Sequence, residues 1–321
     1  MSTCNYILKP GQLNQFMEVF IVMNKEDIVN RILTGSIDCH VHSGPGIFAR
    51  VGDAIDFAKQ ARAYGIRGFV IKNHQGITSD TAQLVNKMIS GIDIYGGVVL
   101  NRYVGGINPY AVEVAIRLGA KIVWMPTQWA KHHIDTFGAP QYKHMGQTKS
   151  TAKSLPVNGI TILDEKGELT TETKQVLEII KDNDVALATS HLTKQEIKLL
   201  VREASKMGIE KIIITHITFT ELWKWSIEEQ KELVDMGATI EHVGLYCMEN
   251  RYLVSPKQVV EMIEGVGYKN VLIGSDCGQL KIPAPPETLR QFVGMLLDEG
   301  MEEYKIHYMM KDNPIRLLGL K

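Results

Sequence analysis

The sequence predicts an α/β fold of the (β/α)8 TIM-barrel type, with a long insertion after the fourth strand. Three observations carry that prediction. Eight short apolar runs rich in β-branched residues recur along the 321 residues. They are near-continuous rather than alternating, as strands of a parallel sheet covered by helices should be. Amphipathic helical stretches lie between them, and regular strand–helix alternation argues for a closed barrel. The rival architecture is an open doubly wound sheet, but no G-x-G-x-x-G follows the first run.

The runs are, in order, "SIDCHVH" (36–42), "IRGFVIKNH" (66–74), "DIYGGVVLN" (93–101), "AKIVWMPT" (120–127), "VALATSH" (185–191), "KIIITHI" (211–217), "ATIEHVG" (238–244) and "NVLIGSD" (270–276). Several of the intervening helical stretches, such as "NPYAVEVAIRLG" and "SPKQVVEMIEGVG", end in Gly, the usual helix stop. A further helix is expected from Asn24 along "NKEDIVNRIL". Residues 1–23 then form an N-terminal extension, without the basic and apolar regions of a signal peptide, and 24–321 form one barrel domain. The spacing departs from regularity at residues 128–170, between the fourth and fifth strands. Within this insertion "GITILDEKGELT" reads as a small hairpin turning at "DEKG". At a barrel's C-terminal face such an insertion is read as a lid or substrate loop, against a surface flap without a role.

Composition narrows the function. With 35 basic and 36 acidic residues the net charge is −1, which gives no global field for nucleic acid or an anionic membrane. No apolar run approaches the ~18 residues of a membrane span. The four cysteines are scattered without C-x-x-C spacing, which suits reduced thiols in a cytoplasmic protein. The expected partner is a small-molecule substrate, with neither nucleic acid nor membrane, and a homo-oligomer is left open.

His40 and His42 sit two apart at the end of the first run. His191, His216 and Asp276 end the fifth, sixth and eighth. Alone, H-x-H is a weak signal, but catalytic residues of these barrels come from the C-terminal ends of several strands. Alternation along a strand points Asp38, His40 and His42 one way and Cys39 and Val41 the other, toward the helices. Imidazoles and a carboxylate converging at one mouth suit a divalent transition metal, zinc first. The metal would bring the pKa of a coordinated water toward neutrality, and Asp276 can both ligate and accept the water's proton.

These residues resemble those of the metal-dependent amidohydrolase superfamily, which includes phosphotriesterase-like lactonases and TatD-type hydrolases. The resemblance rests on "DCHVH", the histidines closing the fifth and sixth strands, "GSDCG" on the eighth, and the closing "KDNPIRLLGL", and it spans residues 36–321. It implies that His40, His42 and His191 are metal ligands and that Asp276 is ligand and base. His216 is implied as a ligand in two-metal members and as a catalytic or substrate-contacting residue in one-metal members. The implied activity is hydrolysis of an amide, lactone or ester bond in a small polar substrate, using one or two ions. A one-metal decarboxylase or lyase, or a phosphoesterase, is the alternative. A barrel that keeps metal for structure alone would need a closed four-ligand site.

One departure is specific. The carboxylated lysine or glutamate that bridges two metals is expected at the third or fourth strand end, yet these end "VVLNRY" and "VWMPT". On the second strand, Lys72 and His74 share a face. Lys72 is read as a carboxylated bridge from an unusual strand, or as a free cation that stabilises an oxyanion or anchors an anionic group. His74, Asn101 and Arg102 are candidate substrate contacts. Glu241 and His242 point opposite ways, so one of them faces inward. His132 and His133 are a solvated loop pair unless the insertion folds over the mouth.

Overall fold

The computed structural model describes residues 25–140 and 155–321. Eight strands form one parallel sheet in sequence order: β1 (Ile37–Val41), β2 (Gly68–Ile71), β3 (Asp93–Val99), β4 (Ala120–Trp124), β5 (Ala186–Ala188), β6 (Ile212–Ile214), β7 (Ala238–Val243) and β8 (Val271–Gly274). The ring closes where Val41 bridges Cys277. There the His42 amide donates to the Cys277 carbonyl at 2.8 Å and the Asp276 amide to the His40 carbonyl at 2.9 Å. Closure therefore places the chain ends that carry His40, His42 and Asp276 side by side.

The helices are α1 (25–33), α2 (Ala54–Ala63), α3 (Ser79–Met88), α4 (Pro109–Arg117), α5 (Lys131–Phe137), α6 (Thr171–Asp182), α7 (Lys194–Lys206), α8 (Ile227–Asp235), α9 (Pro256–Val266), α10 (Pro285–Asp298), α11 (Glu303–His307) and α12 (Asn313–Leu318). Their starts follow from local chemistry. Asp53, Thr193, Ser226 and Ser255 cap α2, α7, α8 and α9 in reciprocal capping boxes with Asp56, Glu196, Glu229 and Gln258. The start expected at Asn24 lies outside the described residues, as does the extension 1–23. Among the described residues no helix is long and apolar enough to cross a membrane.

Two apolar layers follow from the alternation of the strands. Ile37, Val70, Val99, Ile122, Trp124, Ala188, Ile213 and Leu272 fill the barrel interior, and Leu317 and Leu318 of α12 join them from below. Arg316 reaches Thr239 Oγ1 at 2.9 Å, and the Asn313 amide donates to the Val271 carbonyl at 2.7 Å, which ties this floor to β7 and β8. The second layer lies between barrel and helices and includes Val41, Phe69, Ile71, Ile214, Ile240 and Ile273.

Strict alternation fails at one place. The register of β1 against β2 slips between Asp38, paired with Phe69, and Val41, paired with Ile71. Two residues of β1 thus oppose one of β2, which is a β-bulge. Cys39 consequently belongs to the interior layer rather than facing the helices, and Asp38 takes the register of outward-facing Phe69. The Asp38 carboxylate accepts from the His40 and Ser275 amides, both at 3.0 Å, and so pins the bulge to β8. Val41 faces the helices as alternation requires, and His40 and His42 both face the mouth.

Within the insertion, Leu163 pairs antiparallel with Leu169 around a turn in which Asp164 Oδ1 accepts from the Lys166 and Glu168 amides. Ala130 bridges Ile160, which seats α5 at the barrel's upper rim. The remainder of the insertion, 141–154, lies outside the described residues.

Candidate active site

His40 lies one residue before the end of β1, and the other candidate ligands follow the ends of their strands. Asp276 (φ 53°), His216 (φ 39°) and Ser190 (φ 53°), which precedes His191, adopt left-handed backbone. Non-glycine residues adopt this conformation uncommonly, and holding one there costs strain. The chain turns sharply at these points, and the side chains enter the mouth.

His40 and His42 are fixed by the same device. The His40 Nδ1 donates to the Glu241 carboxylate at 3.1 and 3.2 Å, and the His42 Nδ1 donates to the Lys72 carbonyl at 2.7 Å. Each ring then presents Nε2 inward, at 3.0 and 2.9 Å respectively from the same oxygen, Asp276 Oδ1. Glu241 also accepts from the His216 amide at 2.9 Å. His191 Nδ1 lies 2.8 Å from His133 Nδ1, with the two rings stacked. Its ring is 4.9 Å from that of His216. Ligand atoms of His40, His216 and Asp276 lie within 4.8 Å of one another.

The electrostatics test whether this set fits a metal. Burial pushes the His42 pKa down to about 3, with Arg50 adding to the effect. The ring is therefore neutral, its proton is on Nδ1, and its Nε2 lone pair faces a carboxylate oxygen. Two acceptors opposed at that range repel unless a cation lies between them. Burial opposes charge on both His40 and Asp276, yet mutual attraction raises the imidazole's pKa and holds the carboxyl well below its usual range. A buried site that stabilises positive charge between carboxylates is one where a divalent cation can replace the proton. Among the described residues, the buried His216 Nδ1 has no hydrogen-bond partner. The donor set fits a divalent metal.

Lys72 is buried with its Nζ 3.1 Å from His40 Nε2 and 5.5 Å from the centre of the Trp124 ring. Burial pushes its pKa down to about 8, against the pull of Asp276 and Glu241. His74 stacks on His42 at 4.8 Å and holds Thr127 Oγ1 at 2.9 Å through Nδ1.

Asn101 and Arg102 are not brought to the mouth. The Asn101 amide donates to the His74 carbonyl and Thr127 Oγ1 and accepts from the Thr127 amide, which ties together the loops after β2, β3 and β4. The Arg102 guanidinium donates to the Asn158 carbonyl and lines a separate cleft of about 320 Å³ with Gly105, Thr161 and Glu172.

The mouth opens into a cavity of about 590 Å³, whose lining includes His42, His74, His133, His191, His216 and Asp276. Phe219 and Tyr246, stacked at 5.2 Å, also line it, with the Phe219 ring 5.8 Å from that of His191 and 6.2 Å from that of His216. Register resolves the pair on β7. Glu241 aligns with inward Leu272, whereas His242 aligns with outward Ile273. Of the insertion pair, His133 reaches the mouth, and the His132 Nε2 contacts the Leu222 carbonyl at 3.2 Å. Nothing in the spacing of "AKHH" distinguishes these two, because the geometry of α5 makes the choice.

The fold is shared with solved enzymes. An amidohydrolase from Pseudomonas aeruginosa superposes with a TM-score of 0.58 at 14% identity, over 92% of this chain and 98% of its own. An organophosphorus hydrolase from Deinococcus radiodurans gives 0.58 at 14%, over 89% and 92%. A promiscuous lactonase template for organophosphate hydrolysis gives 0.58 at 14%, over 89% and 96%. The resemblance first drawn from strand-end residues is thus matched at the level of the fold. No curated protein matches the sequence. A family model described as a family of unknown function, DUF6282, matches residues 35–241, the segment from β1 to Glu241. The chain belongs to the DUF6282 family.

Proposed function

We propose that the protein is a metal-dependent hydrolase of the amidohydrolase superfamily, acting on an amide, lactone or ester bond of a small polar substrate. The observation that carries this reading is the meeting of His40 and His42 Nε2 at one oxygen of Asp276, beside His216, on the floor of the cavity. His40, His42, His191, His216 and Asp276 are the proposed ligands of a divalent metal, zinc first. Such an ion supplies an acidified water and a Lewis acid for the carbonyl.

The chain's own groups supply the remainder. Asp276 takes the proton from the attacking water and passes it to the leaving group. Glu241 and the Lys72 carbonyl hold the two β1 imidazoles in one tautomer and orientation. The Lys72 ammonium, its hydration replaced by the barrel interior, stabilises the developing oxyanion. His74 and the Phe219–Tyr246 wall shape the pocket around the substrate. Residues 128–170 act as a lid, with His133 as its contact to the site. The setting is cytoplasmic and the partner a small molecule.

The test is His40→Ala, followed for metal content and for turnover of an amide, lactone and ester panel. Both should be lost together while the barrel stays folded. Retained turnover in the metal-depleted variant would overturn the reading. A second reading, a one-metal decarboxylase or lyase, is favoured by one observation: Trp124 occupies the end of β4, where a bridging acid or lysine would stand. Two tightly bound ions per chain would weigh against it.

A further inference from the structure

The loop after β1, residues 43–53, folds back across the mouth. Arg50 bridges Gln279, and the Val51 amide donates to the Gly278 carbonyl at 3.0 Å. Gln279 lines the cavity and its side-chain amide holds the Asp276 carbonyl at 2.8 Å. Arg50 is thereby anchored beside the site, half-buried, its guanidinium 5.6 Å from the centre of the Phe48 ring. Phe48 in turn stands edge-on to His74 at 5.4 Å.

Among the described residues, no carboxylate or carbonyl accepts a hydrogen bond from this guanidinium. Burial depresses its pKa to about 10, and Asp276 is the acid that opposes the shift. That carboxylate already faces His40 and His42. A guanidinium has five donors in a rigid fork, and those of Arg50 remain available to a ligand. Among the described residues, Asp276 is the sole acid lining the cavity, against Arg251 and Lys281. Arg251 is already paired with Glu221 at 2.7 Å. Lys281 has no ion-pair partner among the described residues, and its left-handed backbone (φ 68°) is held by the Asn250 side chain on its carbonyl.

We propose that the substrate is an anion, and that Arg50 receives its carboxylate in the guanidinium fork while the scissile bond lies at Asp276. This rests on the hydrolase reading for the role of Asp276. Bidentate carboxylate recognition is the chemistry for which arginine, rather than lysine, is suited. Lys281 at the rim adds attraction during entry.

The probe is a matched pair, glutarate and pentanoate, titrated calorimetrically into the zinc-loaded protein. The two differ by one carboxylate, so a metal–carboxylate contact common to both cancels. The wild type should bind glutarate at least about tenfold more tightly, the increment expected of a charge-assisted pair. Arg50→Met should erase that preference with zinc content unchanged, and Arg50→Lys, which keeps the charge without the fork, should retain part of it. Equal binding in the wild type, no binding of either acid, or a preference that survives Arg50→Met overturns the proposal. If the preference holds while no amide, lactone or ester is turned over, the anion site stands and the hydrolase reading falls.

Discussion

At the scale of residues, the proposed ligands are legible because each lies at or near the end of an apolar run, where a strand ends. Their supports were not readable. Whether Glu241 or His242 faces inward depends on register with β8, which no single strand encodes. Asp38 and Cys39 were misplaced for a related reason, since alternation assumes an unbroken ladder and the bulge breaks it. Asn101 and Arg102 follow β3 closely, but their side chains are held by loops away from the mouth. The support that matters most is Glu241, which holds both His40 and the His216 backbone. Glu241→Gln should leave the fold intact and weaken metal affinity about ten- to hundredfold, the usual effect of losing a carboxylate behind a ligating histidine. Competition against a zinc-binding dye measures it, and unchanged affinity would remove Glu241 from the site.

At the scale of elements, each of the eight strands falls within the run that predicted it, because burial on both faces leaves a strong compositional mark. The hairpin turn at Asp164 was readable from its turn residues, whereas the seating of α5 against His191 was not, because it depends on tertiary packing. The least tolerant element is the turn after β8. Gly278 has φ 134°, and a Cβ there would sit 1.7 Å from the His42 carbonyl oxygen. No side chain can yield to that contact, since it is with the backbone immediately after β1. Gly278→Ala should therefore separate β8 from β1, abolish zinc binding, and cost about 1–3 kcal/mol or more of stability. Chemical denaturation with parallel metal analysis checks both effects. An alanine variant of native stability that still binds zinc would contradict the role given to this turn.

At the scale of the whole molecule, the barrel is a mouth built over a floor. The closing "NPIRLLGL" could be read as a terminal helix, but not as a plug inside the interior layer, because its apolar side chains look the same in either role. Leu317 is fully buried there. Leu317→Ala should cost about 2–5 kcal/mol while leaving zinc affinity near that of the wild type, which separates floor from mouth. Acid stability has a separate origin. Arg290, with Gln291 and Tyr64, holds Glu287 at a pKa of about 2 despite partial burial, against an ordinary 4.5. A depressed acid stabilises the fold above its unfolded value, and that contribution fades as pH falls from 4.5 through 2. Because the carboxylate is partly exposed, screening limits it to about 1 kcal/mol. Glu287→Gln should flatten this part of the acid limb in chelated protein, and an unchanged slope would assign acid lability elsewhere. The central claim, that the imidazole–carboxylate cluster works through a bound divalent ion, is tested most directly by exhaustive chelation followed by stepwise zinc return. Turnover should vanish and then recover in proportion to zinc bound at the cluster. Full turnover in the chelated protein would contradict the account.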